Sequence, residues 1–134
     1  MDKESRRIAE AMAKSPRVIS IDLDGTLASQ DKGWRGFHFI GKPVPRVVEI
    51  LRREHRAGSY IILHTCRVTN LDNKVHPFSL DTIRAWLKKH SIFIDEIWMG
   101  VGKPYANVYM DDRAWNVCCS ECNRREAEKR KRKQ

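Results

Sequence analysis

No apolar run in this chain approaches the roughly 20 residues that cross a bilayer, and the N-terminal stretch Met-Asp-Lys-Glu-Ser-Arg-Arg lacks a signal-peptide core. These two absences lead to the expectation of a soluble cytoplasmic protein without membrane contact. Length leads to the expectation of one compact domain, since these 134 residues can bury a single core and have no room for a second. Zinc ligands are poorly supplied. His38, His55, His64, His76 and His90 have no mutual metal spacing, and the CxxC within Cys118-Cys119-Ser-Glu-Cys122 has no second pair near it. A closed zinc site would need a fourth ligand from elsewhere, such as Cys66 or a histidine. The alternative is a set of reduced, partly buried thiols.

Charge is unevenly placed. Apolar residues make up 41% of the chain, ordinary for a globular protein, while a mean hydropathy of -0.59 reflects heavily charged ends and loops. Of the formal +9, residues 124–134 hold +5, from Arg124, Arg125, Lys129, Arg130, Lys131, Arg132 and Lys133 against Glu126 and Glu128. We therefore divide the chain into one domain, 1–123, and a basic tail, 124–134. Such a tail can neutralise nucleic-acid phosphates with salt-dependent affinity, or simply be a solvated end.

What is present is chemically pointed. Residues 19–27 read Ile-Ser-Ile-Asp-Leu-Asp-Gly-Thr-Leu, an apolar run ending in two carboxylates one residue apart. Strand alternation sends Asp22 and Asp24 to one side, and the Gly25-Thr26 pair lets the chain turn sharply. Acids held so close repel unless a cation lies between them or one is protonated, and Mg2+ prefers carboxylate, phosphate and water oxygens. A simple strand cap is the alternative. Against it, residues 107–113 repeat the pattern, Asn-Val-Tyr-Met-Asp-Asp-Arg, a short apolar run ending in Asp111 and Asp112. Residues 60–67 form a buried-strand pattern reaching Thr65, and Gly102-Lys103-Pro104 offers a lone ammonium before the second acid pair. A nucleophilic carboxylate, a hydroxyl, an ammonium group and metal-binding acids are the parts that phosphoryl transfer requires.

On these residues the chain resembles the haloacid dehalogenase superfamily of aspartate-nucleophile phosphatases over residues 17–115. Asp22-Leu-Asp-Gly-Thr26 matches the DxDGT signature, Thr65 the hydroxyl motif, Lys103 the lysine motif, and Asp111 with Asp112 the closing acid pair. The four occur in the family's order. Residues 102–114 are similar to small members with little or no cap domain and to the phosphatase half of polynucleotide kinase-phosphatases. The resemblance implies that Asp22 attacks phosphorus and that Asp24 serves as acid and then base. It also implies that Mg2+ is held by the Asp22 carboxylate, the Asp24 backbone carbonyl and one or both of Asp111 and Asp112. Thr65 and Lys103 would grip the transferring oxygens, with the backbone N–H groups around Gly25 and Thr26 adding contacts. Arg67 and Arg113 stand second, as substrate contacts or as solvated surface charges.

The wider pattern alternates strand and helix, an α/β chain with a three-layer, Rossmann-like parallel sheet. A charged helix is expected at 3–14, strands at 18–23, 60–64, 94–99 and 108–110, and helices at 44–57 and 80–90, the last capped by Ser79 or Asp81. Ligands of such sheets sit beyond the carboxyl ends of the strands, where Asp22, Thr65 and Asp111 fall. The family likeness places strand one between strand two and the strand ending at Asp111. Trp86, Trp98 and Trp115 read as packing residues, and His64 as a strand-end packer.

Little sequence is left for a lid. Residues 28–42 number about fifteen, so the site should be open, suiting a phosphate at the end of something large. Trp34, Phe37 and Phe39 in the segment 31–39 could stack on a base or cover an apolar patch, with Gly33, Gly36 and Gly41 as flexible points. Expected substrates are nucleotides or nucleic-acid ends with a terminal phosphate, then sugar phosphates and phosphoproteins. A phosphate-binding protein without turnover and a phosphotransferase are the other classes. Asp24 argues against the first, and the residues do not separate the second. A small capless domain could also use a neighbouring subunit as its lid.

Overall fold

The computed structural model describes residues 2–14, 17–68 and 77–115, and the basic tail, Cys118, Cys119 and Cys122 lie outside them. Its elements alternate as expected. Helix Lys3–Lys14 (α1) precedes strand Val18–Ile21 (β1), helix Pro45–Arg56 (α2), strand Tyr60–Leu63 (β2), helix Pro77–Lys89 (α3), and strands Glu96–Ile97 (β3) and Val108–Met110 (β4). All pairings are parallel, in the order β3-β2-β1-β4, so β1 is central between β2 and β4.

Strand alternation sorts the core onto two faces. Ile21, Ile61 and Leu63 meet Val48 and Leu51 of α2 and Ile83, Trp86 and Leu87 of α3 in one cluster. Val18, Ile62 and Trp98 form a smaller cluster with Tyr60 and Ala106. Glu96, the register partner of Ile62, receives Arg7 of α1 at 3.2 Å and the Tyr60 hydroxyl at 2.7 Å. Helix α1 therefore covers the face opposite α2 and α3, giving three layers. Burial pushes the Glu96 carboxyl up from its ordinary value, while the Tyr60 hydrogen bond and the Arg7 charge act the other way. Among the described residues no helix is long and apolar enough to cross a membrane.

Several expected boundaries move, for local reasons. Helix α3 begins at Pro77, a residue suited to a first helical turn because it lacks an N–H. Ser79 and Asp81 are therefore interior to the helix rather than capping it, and Ser79 is buried. Strand β3 keeps two residues of the expected 94–99. Just before it, the Ile61 N–H turns to the Asp95 carboxylate at 2.7 Å, and the Asp95 N–H returns to the Ile61 carbonyl. The tryptophans divide: Trp86 and Trp98 are buried with their indole N–H groups bonded to the Gly41 and Gly102 carbonyls. Trp115, expected to pack, is 90% exposed, and Cys66 is exposed rather than partly buried.

The placement of β4 rests on a similar side-chain substitution. The Val18 N–H donates to Asn107 Oδ1 at 2.7 Å while the Asn107 N–H donates to the Val18 carbonyl at 2.8 Å. This reciprocal pair sets the register that brings Met110, and hence Asp111, level with Ile21. Asn107→Ala leaves the Val18 N–H without its partner and should cost about 1–2 kcal/mol. A thermal melt against wild type checks this, and an unchanged midpoint would show that the pair does not hold the strand.

Candidate functional site

The central strand ends at Ile21, and the chain then runs directly into the site. The Asp22 N–H still bonds to the Met110 carbonyl at 2.9 Å, continuing the ladder to the point where β4 delivers its own acids. From there residues 23–28 form a compact turn, with the Ala28 and Thr26 N–H groups on the Leu23 carbonyl and the Gly25 N–H on the Ala28 carbonyl. Gly25 is required twice: its φ of +83° is left-handed, and a Cβ there would run into the Asp112 carboxylate.

Asp22, Asp111 and Asp112 bring one carboxylate oxygen each within 4.8 Å of one another. Thr26 locks one wall, its hydroxyl accepting the Asp112 N–H at 2.9 Å and lying 3.4 Å from Asp112 Oδ1. Asp111 Oδ1 accepts the Arg113 N–H at 2.8 Å. The electrostatic consequence falls on Asp22. Burial first, then Asp111, with smaller contributions from Asp112 and Asp24, pushes its carboxyl up to about 6, while a Leu23 backbone hydrogen bond acts the other way. The donors are all hard oxygens, and like charges held this close gain from a cation. The set holds no thiolate or imidazole, the ligands zinc favours, and is of the all-oxygen kind that hard cations take.

Asp24 stands apart from this cluster. Its side chain is engaged by Arg67, Nε to Oδ2 at 2.6 Å and Nη2 to Oδ1 at 2.7 Å, a bidentate pair. The Asp24 side chain is thus not among the oxygens that cluster with Asp22, Asp111 and Asp112. Arg67 is 2% exposed, so it is no solvated surface charge, and its guanidinium is turned to Asp24 and the loop before α2. Arg113 is exposed. Thr65 is buried just beyond β2, its hydroxyl oxygen accepting the Arg67 N–H at 3.3 Å, so its proton is unused among the described residues.

One expectation fails here. The Gly25 and Thr26 N–H groups were expected to contact phosphoryl oxygens, yet both close the turn on the Ala28 and Leu23 carbonyls. The tightness of the Asp-Gly-Thr turn is the reason. Conversely, His64 was read as packing but is half-buried under the charges of Asp111 and Lys103. Burial lowers the affinity of its ring for a proton, Lys103 adds to that, and Asp111 opposes it. Tyr109 also carried no sequence signal. Its ring supports the Lys103 ammonium at 3.9 Å, and its hydroxyl donates to the Pro104 carbonyl at 2.6 Å and accepts the Ala106 N–H at 3.0 Å. Only strand alternation placing Tyr109 two residues before Asp111 could have hinted at it.

Comparison with solved structures finds the same fold elsewhere. A conserved protein from Bacteroides thetaiotaomicron is similar at 21% identity, with a TM-score of 0.55 over 86% of this chain and 91% of that one. A structural-genomics target from Vibrio cholerae is similar at 28% identity, with a TM-score of 0.52 over 85% of this chain and 98% of that one. No protein-family model matches the chain, and no curated protein does.

The raised Asp22 carboxyl has a sign that can be tested in metal-free protein. A carboxyl held above its ordinary 3.8 contributes stability that is complete below that value and lost as pH rises through about 6. Asp22→Asn should therefore raise the melting temperature of metal-free protein at pH 7.5 and change it little at pH 3.5. Mg2+ should raise the wild-type midpoint at pH 7.5 and have much less effect on the variant. Equal midpoints at both pH values, with no Mg2+ response, would mean that the three acids are not electrostatically strained.

Proposed function

We propose that this chain is a Mg2+-dependent phosphomonoesterase of the haloacid dehalogenase type, working through an aspartyl-phosphate on Asp22. The observation that carries this reading is the convergence of Asp22, Asp111 and Asp112 at the ends of two adjacent parallel strands, with Thr65 beyond the third. Nucleotides or nucleic-acid ends bearing a terminal phosphate are its proposed substrates.

In this reading an Asp22 oxygen bonds to phosphorus as the bond to the leaving oxygen breaks, and Asp24 gives that oxygen its proton. In the second half Asp24 takes a proton from water, the water oxygen bonds to phosphorus, and the phosphorus bond to Asp22 breaks. Inorganic phosphate leaves and the Asp22 carboxylate is restored. Bound Mg2+, held by Asp22, Asp111, Asp112 and the Asp24 carbonyl, would supply neutralisation of the charge that otherwise repels a phosphate dianion. Thr65 contributes a hydroxyl donor and Lys103 an ammonium to the transferring oxygens. Arg67 fixes the plane of the Asp24 carboxylate, and each of its oxygens keeps a further lone pair for the proton.

Hydrolysis of an aryl phosphate, with Mg2+ and with the metal chelated, tests the reading. Turnover should require the metal and fall below detection in Asp22→Asn. Asp24→Asn should lose about 10²–10⁴-fold, the usual range for acid–base catalysis. Turnover that survives in Asp22→Asn or under chelation would exclude this mechanism. Inactivity on aryl phosphate, nucleotides, phosphorylated oligonucleotides and phosphopeptides alike would favour a phosphate-binding protein without turnover.

A further inference from the structure

The segment between the Asp-Gly-Thr turn and α2 contains no helix or strand, yet it is firmly fastened. At its base the Ser29 N–H bonds to the Lys42 carbonyl at 2.8 Å, the Val44 N–H to Leu27 at 2.9 Å, and Trp86 Nε1 of α3 to the Gly41 carbonyl at 2.9 Å. Gly41 packs so closely on the Ser29 carbonyl that a Cβ would overlap it. At the far end, the guanidinium that holds Asp24 also donates to the Phe37 carbonyl at 3.1 Å and the Phe39 carbonyl at 2.8 Å. It lies 4.6 Å from the centre of the Trp34 ring as well.

A segment tied at both ends could have buried its aromatics, the ordinary outcome for rings of this size. Instead Trp34 is 53%, Phe37 50% and Phe39 40% exposed, three rings within six residues. Trp34 and Phe37 meet edge to face at 5.2 Å, and Arg35 lies over Phe39 at 5.3 Å. The sequence left open whether these rings cover an apolar patch. Their exposure and the buried cation beneath Trp34 describe a rigid platform instead. Because one guanidinium touches both groups, and a bidentate pair spans about 4 Å between carbons, the Trp34 ring centre lies at most roughly 9 Å from the Asp24 carboxylate. The same segment carries Lys32, Arg35 and Lys42 against Asp31, a surplus of positive charge suited to a polyanion.

Resting on the phosphatase reading above, we propose that the exposed surface of Trp34, flanked by Phe37, is a stacking subsite for a nucleobase. The substrate is then a nucleotide or a nucleic-acid end whose terminal phosphate reaches Asp22 while its base lies on Trp34. The bound of roughly 9 Å between the Trp34 ring and the Asp24 carboxylate, two residues from Asp22, is of the order that a ribose spans between base and phosphate. Arg67 is a positioning residue in this arrangement, since it seats the platform and Asp24 together.

The test compares kcat/KM on adenosine 5′-monophosphate, adenosine 3′-monophosphate and 5′- or 3′-phosphorylated oligonucleotides with that on ribose 5-phosphate and a phosphotyrosine peptide. Base stacking on an aromatic side chain predicts at least one base-bearing substrate preferred over ribose 5-phosphate by about tenfold or more. That ratio should collapse in Trp34→Leu, chiefly through KM, and largely return in Trp34→Phe. Preference for the mononucleotide or for the oligonucleotide identifies the source of the base. Equal rates on nucleotide and ribose phosphate, a ratio unmoved in Trp34→Leu, or preference for the phosphopeptide would overturn the proposal. Should no ester be turned over, the phosphatase reading falls, and the subsite is judged separately by titrating adenosine 5′-monophosphate into Asp22→Asn protein. A shift of the Trp34 indole N–H resonance, assigned by its loss in Trp34→Phe, supports stacking, and an unmoved resonance excludes it.

Discussion

Parallel pairing on both sides of β1 is the constraint from which the arrangement of the site follows. Ile21 is level with Leu63 on one side and with Met110 on the other, so the residues that follow all three leave the sheet at one edge. A parallel ladder carries every strand's carboxyl end to the same side. The residues carried beyond those ends are thereby gathered by the backbone ladder, and the Arg67–Asp24 and Thr26–Asp112 contacts then fix their side chains. Polar side chains of Asn107 and Asp95 extend that pairing where the strands stop, which lets strands of two to four residues hold a definite register.

The gathering has an electrostatic cost, concentrated on Asp22. Burial, then the neighbouring carboxylates, raise Asp22, and the Leu23 backbone hydrogen bond offsets this only in part, since the Gly25 and Thr26 N–H groups close on the turn's own carbonyls. The molecule separates its remaining acid from this crowd. Asp24 faces a buried guanidinium, so two carboxylates two residues apart occupy different electrostatic surroundings. Such unlike surroundings are what the proposed division between nucleophile and proton carrier would require.

Arg67 joins this site to the loop before α2. A planar cation with five donors can hold a carboxylate, two carbonyls and an aromatic face at once, which a lysine could not do. Lys103 has a different setting, exposed on a loop and supported by the Tyr109 ring. The two cations thus have different settings, one buried and organising an acid, the other exposed, where the proposed function gives it the substrate anion.

Much of the fold was legible in the chain. The apolar runs ending at Ile21, Leu63 and Met110, with helical spacing between them, sufficed for the element order and a parallel sheet, because periodicity and crossover length are local properties. The acids after those runs were legible for the same reason, since their positions follow from strand ends. Strand order came from family likeness, as no local pattern encodes it. Tertiary structure alone decided the rest. Whether Arg67 is solvated or buried depends on a carboxylate 43 positions away. Whether the Gly25 and Thr26 N–H groups face a ligand depends on how tightly the turn closes, and whether Trp34 is covered depends on what the fold lays across it. Sequence patterns report a residue's own element; contacts between elements are fixed only when the sheet has brought them together.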